Sequence, residues 1–279
     1  MVQNLFEKYK IAIEAALEAS NEILRIYVLD FERTIKEDGS PMTSADLKSS
    51  EIIERYLNLT FIPYIGEEQE KAPYSKRKNW KQTWCFDPLD GTKEFIKKNG
   101  EFVVNIALIE DNQPIFGLIA SPFFKKIILG EIGSGAYEFS YSDALKPEKW
   151  KKIPTLGTHN SPLHIISSKS HYSGNLLLLA EDLAKKQGEI RSTRMGSALK
   201  FFDLVNGRAD VYPRFAPTME WDIAAGQAIY EAVGGKIIDV MTGKSLTYNK
   251  EDLYNPYFIA YNPSVQVSLD FIQQSIIDE

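Results

Sequence analysis

The chain has 279 residues, 44% of them hydrophobic and 25% charged, and a net charge of −6. That length suits two lobes or one large α/β domain, and the composition excludes a disordered chain. The acidic balance, with no long basic run, argues against a nucleic acid polymer as partner; a small anionic ligand stays open, because a few local cations or a metal reverse the local field.

The chain begins M-V-Q-N-L-F-E-K, with no basic head before an apolar core, so no signal peptide is expected. From residue 4 to 27, Leu5, Phe6, Tyr9, Ile13, Ala16, Leu17, Ile23, Leu24 and Tyr27 recur at helical steps, and Asn4 with Glu7 resembles a capping pair. A short strand over 33–36 ends at the turn signal D-G-S-P. A second helix starts near Thr43, and F-I-P-Y-I-G leads into Glu67. K-A-P-Y-S-K-R-K-N reads as a loop.

Strands are expected at 83–86, 102–109, 115–120 and 126–129, with E-D-N-Q-P as a hairpin turn. The single cysteine, Cys85, falls in the first of these; it excludes an intrachain disulfide and fits a reducing compartment. The stretch 140–162 is a candidate hinge, dividing an N-terminal α+β lobe (1–150) from a C-terminal α/β lobe (151–279). Strand and helix then alternate: L-H-I-I-S-S, a helix over 175–187, another opened by Gly196-Ser197, A-D-V-Y-P, a helix over 222–233 stopped by Gly234-Gly235, then K-I-I-D-V and Y-F-I-A-Y. No stretch approaches the about 18 apolar residues of a membrane span, so a cytoplasmic protein is expected.

The stretch W-C-F-D-P-L-D-G-T-K-E-F concentrates chemistry at a strand end. Pro88 stiffens the chain, Gly91 frees it, and Asp87 and Asp90 stand three apart. Such a turn can offer carboxylates and carbonyls to Mg²⁺, which wants hard oxygen ligands. It also serves as an ordinary turn with a helix cap, and the motif alone does not choose. G-E-E at 66–68 adds Glu67, whose bland reading is a solvated acidic run. Asp222 in E-W-D-I-A-A-G reads equally as an N-cap, and Asp46 lies with Thr43 at capping-box spacing. In M-G-S-A-L-K, Gly196-Ser197 opening a helix offers N–H groups to a phosphate, with Lys200 one turn on; the alternative is a serine cap and a surface lysine. His171 in S-S-K-S-H is a loop histidine, weak by itself. Several acids and two groups of phosphate donors, each at an element end, favour metal-assisted phosphate chemistry. Neither G-x-S-x-G, a P-loop nor zinc spacing occurs.

G-E-E, D-P-L-D-G-T and W-D-I-A-A-G, in that order, resemble the signature of the lithium-sensitive, Mg²⁺-dependent phosphatases of the inositol monophosphatase superfamily. D-P-L-D-G-T-K-E-F-I, N-G-E-F-V-V-N-I-A-L-I, S-K-S-H, G-S-A-L-K-F and Y-P-R-F-A-P-T are similar to the 3′(2′),5′-bisphosphate nucleotidases of the CysQ type within it, whereas inositol phosphatases more often read T-T-N-F after D-G. The resemblance implies a layered αβαβα sandwich of the inositol monophosphatase and fructose-1,6-bisphosphatase type, with the active site between two lobes.

It further implies two or three Mg²⁺ held by Glu67, Asp87, Asp90 and Asp222 and by the main-chain carbonyl of Leu89, with Asp46 and Thr92 acting with Glu67 on the attacking water. Gly91, Thr92, Lys93, Ser168, His171, Ser197, Lys200 and Asp222 become substrate contacts. Ala198 stands where many relatives carry a second serine, which bears on affinity for the nucleotide. The implied reaction removes the 3′-phosphate of adenosine 3′,5′-bisphosphate, and of its phosphosulfated relative, in sulfur assimilation. The runner-up is an inositol monophosphatase-like polyol phosphatase; a more remote rival is a non-catalytic nucleotide or metal sensor. Oligomeric state is left open, and the resemblance leaves room for peripheral attachment to the inner membrane.

Overall fold

A computed structural model describes residues 2–29, 31–36, 39–169 and 174–278. The first helix, α1 (Val2–Tyr27), buries the predicted stripe of Leu5, Phe6, Tyr9, Ile13, Ala16 and Ile23. It begins ahead of Asn4, so Asn4 is a helical residue and not a cap. A ribbon of β1 (Arg33–Ile35) and β2 (Pro41–Thr43) leads into α2 (Ser44–Leu57), which Thr43 and Asp46 start with the expected capping box.

Then follow β3 (Tyr64–Gly66), α3 (Tyr74–Arg77), β4 (Gln82–Asp90), α4 (Thr92–Ile96), β5 (Val103–Glu110), β6 (Gln113–Ser121), β7 (Lys126–Glu131), β8 (Gly135–Ser140) and β9 (Lys151–Ile153). Where a loop was expected, Pro73 permits one short turn of helix, α3, because proline is tolerated at a helix start. The seven strands from β3 to β9 form one sheet in sequence order, antiparallel except for the β3–β4 pair. The β5–β6 turn places Asp111 and Asn112 at φ 46° and 64°, the left-handed pair a tight hairpin requires. Through β9 this sheet runs past residue 150, into the stretch read as a hinge.

The second half holds β10 (Leu163–Ser168), α5 (Gly174–Gln187), β11 (Ile190–Met195), α6 (Lys200–Val205), β12 (Val211–Arg214), α7 (Glu220–Ala232), β13 (Lys236–Asp239), β14 (Phe258–Tyr261) and α8 (Asp270–Asp278). Its mixed sheet has the order β11-β10-β12-β14-β13. Three cores fill the four interfaces of five layers, the second spanning both faces of the central helices. One lies between α1, α2 and the large sheet (Ile13, Ile53, Phe86, Phe116). The second lies between the large sheet, α6, α7 and the small sheet (Ile119, Phe201, Ile229, Phe258). The third lies between the small sheet, α5 and α8 (Ile165, Leu179, Val240, Ile272). The result is the αβαβα sandwich.

The central layer is packed closely. A Cβ on Gly117 of β6 would lie 2.1 Å from the Ala225 carbonyl oxygen of α7, so glycine is what lets that helix settle on the sheet. This contact matters to the site, because α7 carries Asp222 up to the end of β4.

Candidate active site

The D-P-L-D stretch does not follow its strand; it is the last part of it. Asp87 pairs with Asn105 and Asp90 with Val103, and the register shifts between them, so Pro88 and Leu89 form a bulge. The backbone N–H of Leu89 donates to Asp87 Oδ1 at 2.9 Å, and Ser49 Oγ of α2 donates to the Pro88 carbonyl at 2.7 Å. The Leu89 side chain is buried in the core beneath α1 and α2. Gly91 then turns at φ 98° and Thr92 opens α4.

Thr92 meets Asp46 here. Its Oγ1 lies 2.8 Å from Asp46 Oδ1 and 3.2 Å from the Leu89 carbonyl. The other oxygen of Asp46 accepts from the Thr43 amide and hydroxyl at 2.7 and 2.6 Å, so the capping box and the link to Thr92 use the same carboxylate. Burial raises the Asp46 pKa, and the hydrogen bonds from Thr43 and Thr92 oppose that rise.

Glu67 follows β3 and is tied to β4 through its amide, which donates to the Phe86 carbonyl at 3.2 Å. Its side chain accepts from Lys36 Nζ at 2.7 Å, and Lys36 also reaches Glu68 at 2.5 Å. Asp222 is the third residue of α7, not its cap: it folds back to accept from the Met219 amide at 2.8 Å. Asp90 accepts from the Ala198 amide at 2.5 Å and from Asn105 at 3.5 Å.

These acids feel one another. Burial, then the charges of Glu67, Asp90 and Asp222, push the Asp87 carboxyl well above the usual range. Burial, then Asp90 and Glu67, do the same to Asp222. Asp90 is pushed up to about 6, chiefly by burial, with Lys200 and the Ala198 amide pulling the other way. Lys200, itself buried, is pushed down to about 8 by burial, with Asp90 opposing. Among the described residues no three Asp, Glu, His or Cys side chains are gathered into a ready-made cage. The four acids nonetheless interact in a water-poor seam where their ionised forms raise one another's energy, which suits an added cation. The set is all oxygen, the donor chemistry of Mg²⁺ and not of a soft metal.

One cavity is lined by Asp90, Gly91, Lys93, Ser168, Ser197, Lys200 and Asp222, together with Tyr212, Arg214 and Thr218, which the motif reading did not single out. The six expected contacts other than Thr92 and His171 therefore meet from both halves of the chain; Thr92 does not line the cavity but bonds Asp46 beside it, and His171 lies outside the described residues. The expectation of free N–H groups at Gly196-Ser197 is corrected for Gly196. The helix α6 starts only at Lys200, and three amides of the preceding segment are spent on the protein: Gly196 on Glu101 (2.7 Å), Ala198 on Asp90, and Leu199 on Ser197 Oγ (3.2 Å). Nor is Lys200 a surface lysine; it is 3% exposed and donates to the Ser197 carbonyl at 2.5 Å. Arg214 and Glu101 left no mark in the sequence beyond lying in quoted motifs: the side-chain partners of Glu101 are distant in the chain, and Arg214, tied to the nearby Ala216 and Pro217 carbonyls, gains its role from the cavity it lines.

The inositol monophosphatase family pattern matches residues 4–267. The chain belongs to the inositol monophosphatase family. Within this family it is 38% identical over 250 residues to the 3′(2′),5′-bisphosphate nucleotidase CysQ of Salmonella typhimurium, covering 88% of this chain and 96% of that one. It is 41% identical over 218 residues to the protein of the same name from Buchnera aphidicola, covering 77% and 76%. A solved family structure, CysQ from Bacteroides thetaiotaomicron, superposes with a TM-score of 0.79 at 41% identity, over 91% of this chain and 97% of that one. The SuhB structure from Bartonella henselae, 22% identical with a TM-score of 0.73 over 97% and 98% of the two chains, shares the fold.

Proposed function

We propose that this chain is a Mg²⁺-dependent 3′(2′),5′-bisphosphate nucleotidase that hydrolyses the 3′-phosphate of adenosine 3′,5′-bisphosphate to AMP and phosphate. The observation that carries the reading is the meeting, in one seam, of a buried carboxylate group with a cavity that also presents Lys93, Lys200 and Arg214. The high-coverage likeness to CysQ nucleotidases supports the substrate class.

The residues that would hold Mg²⁺ are Glu67, Asp87, Asp90, Asp222 and the Leu89 carbonyl. When bound, the ion supplies charge neutralisation for the phosphate and acidifies a nearby water. The protein's own part is to orient. The Thr92 hydroxyl has one proton and two acceptors in reach, and the carboxylate of Asp46 is the stronger. With that proton committed to Asp46, the Thr92 oxygen keeps its lone pairs for a water, fixing the water's direction toward phosphorus. Asp46 is the eventual proton acceptor through Thr92, and the leaving 3′-oxygen takes a proton from solvent. Phosphate monoester hydrolysis asks mainly for positioning and charge, so no covalent enzyme intermediate is needed.

The cations favour a substrate with two phosphates. Acids fill one wall, and Lys93 and Arg214 line the same cavity, where a second phosphate gives them a partner. Ser168 and Ser197 add hydroxyls. Ala198 contributes its backbone amide to Asp90, a bond that does not depend on a side-chain hydroxyl. We place the enzyme in the cytoplasm, where a buried Cys85 thiol stays reduced; no described helix is long and apolar enough to cross a membrane.

The test is phosphate release from adenosine 3′,5′-bisphosphate and from inositol 1-phosphate at matched Mg²⁺. The nucleotide should be preferred by at least about tenfold in kcat/KM; a preference for the inositol ester overturns the substrate assignment.

A further inference from the structure

The motif N-G-E-F has no part in the reaction above, yet its glutamate sits at the seam. Glu101 lies two residues before β5, and its side chain is 19% exposed. Its carboxylate crosses to the other half of the chain. One oxygen accepts from the Gly196 amide at 2.7 Å, the other from Lys169 Nζ at 2.6 Å. Its carbonyl oxygen presses on the bulge exit: a Cβ on Gly91 would lie 2.7 Å from it and 3.2 Å from Ser197 Cβ. On the far side, a Cβ on Gly196 would lie 2.8 Å from Glu94 Cγ and 3.0 Å from Glu101 Oε2. Glu101 thus meets three parts that border the cavity: Gly91, Lys169 beside Ser168, and Gly196 at the head of the turn through Leu199.

That last turn needs holding. Ser197 has φ 49°, a left-handed conformation uncommon for a residue with a Cβ. Its strain persists only because its surroundings fix it. The fixings are the Gly196 amide on Glu101, the Ala198 amide on Asp90 and the Lys200 ammonium on the Ser197 carbonyl. Without the first, the turn can relax and carry Ser197 away from Gly91.

We propose that Glu101 is a positioning residue: it bolts the Gly196–Lys200 turn to the Gly91–Lys93 turn and so sets substrate affinity. The essential bond is the one accepted from Gly196; the Lys169 pair, half-exposed, is secondary. The affinity arm rests on the nucleotidase reading; the bolt itself does not.

Three variants test this by two readouts. Glu101→Ala should raise KM about tenfold, the size of one lost charge-assisted hydrogen bond, with kcat changed less than about threefold. Glu101→Gln still offers an oxygen to Gly196 and should restore KM to within about threefold of wild type; Lys169→Met should do likewise. Amide hydrogen exchange at residues 196–198 should quicken at least about tenfold in Glu101→Ala and stay near wild type in Glu101→Gln. Wild-type KM and exchange in Glu101→Ala would overturn the proposal, and so would equal damage in Glu101→Gln. Should Glu101→Ala not fold, near-wild-type behaviour of the Gln variant supports the acceptor role and a damaged Gln variant overturns it. A wild type that turns over only inositol 1-phosphate refutes the substrate reading, and the exchange comparison then decides on the bolt alone.

Discussion

Thr92 and Asp46 are joined by a 2.8 Å hydrogen bond between a hydroxyl at the start of α4 and a carboxylate in the first turn of α2. The two residues stand 46 apart in the chain, and the bond locks the bulge of β4 to the helix beneath it. Thr92→Val removes the hydroxyl while keeping shape. The expected result is a fall in kcat of about 10²–10⁴-fold, the range for a lost acid–base partner, with KM changed far less. Steady-state kinetics at saturating Mg²⁺ check it; an equal loss shared between kcat and KM would point to general damage at the turn.

Asp90 is a buried acid among acids. Asp90→Asn should lose nearly all turnover, at least about 10³-fold, because it removes a negative charge from the set proposed to hold the ion. The same change relieves repulsion, so the metal-free variant should melt no lower than metal-free wild type. Wild type should gain stability with Mg²⁺ by mass action, and the variant should gain much less. Thermal melts with and without Mg²⁺ read both effects. A variant that keeps its turnover would remove Asp90 from the site.

The acid group also fixes a pH dependence. An acid whose folded pKa lies above its unfolded value costs no stability below the unfolded value. The cost grows as pH rises toward the folded value and is constant beyond it. For Asp90 that window runs from about 4 to about 6, and Asp87 and Asp222, raised chiefly by burial, add to the cost in the same direction. Lys200, lowered to about 8, adds a constant cost below that pH which lifts only above it. Metal-free protein should therefore lose stability as pH rises from about 4 to about 6, and saturating Mg²⁺ should flatten the slope. Urea melts at the two pH values test this; a metal-free stability that rises across the range would contradict it.

Gly117 links packing to chemistry. Gly117→Ala places a methyl against the Ala225 carbonyl, where only 2.1 Å is open. Backbone must move, at an expected cost of about 1–3 kcal/mol or more. Because α7 carries Asp222, kcat should fall even at temperatures where the variant is folded. Calorimetry and kinetics on the same sample check the pairing; a destabilised variant with full kcat would show that Asp222 is positioned independently of this contact.

What the sequence made legible was whatever depends on near neighbours. The stripe of α1, the capping box of Thr43 and Asp46, the Asp111–Asn112 hairpin and the Gly234 stop each need only a few adjacent residues. What it hid depends on partners far away. D-P-L-D reads as a turn, because proline and glycine punctuate it; it is held as a strand bulge by Asn105 across the sheet and Ser49 below. The strand β11, I-R-S-T-R-M, is mostly exposed at a sheet edge and has no apolar alternation to announce it. Gly196-Ser197 promised free amides, and no local rule could say that Glu101 would take that of Gly196 and Asp90 that of the neighbouring Ala198. Arg214 falls in the same class, a charge given meaning by the cavity it lines.

The most direct measurement incubates the protein with adenosine 3′,5′-bisphosphate in Mg²⁺ and, in parallel, in excess chelator, and separates the products. The account predicts AMP and one equivalent of phosphate in Mg²⁺ and almost no product in chelator. Release of the 5′-phosphate to leave adenosine 3′-phosphate, or an equal rate in chelator, would contradict it.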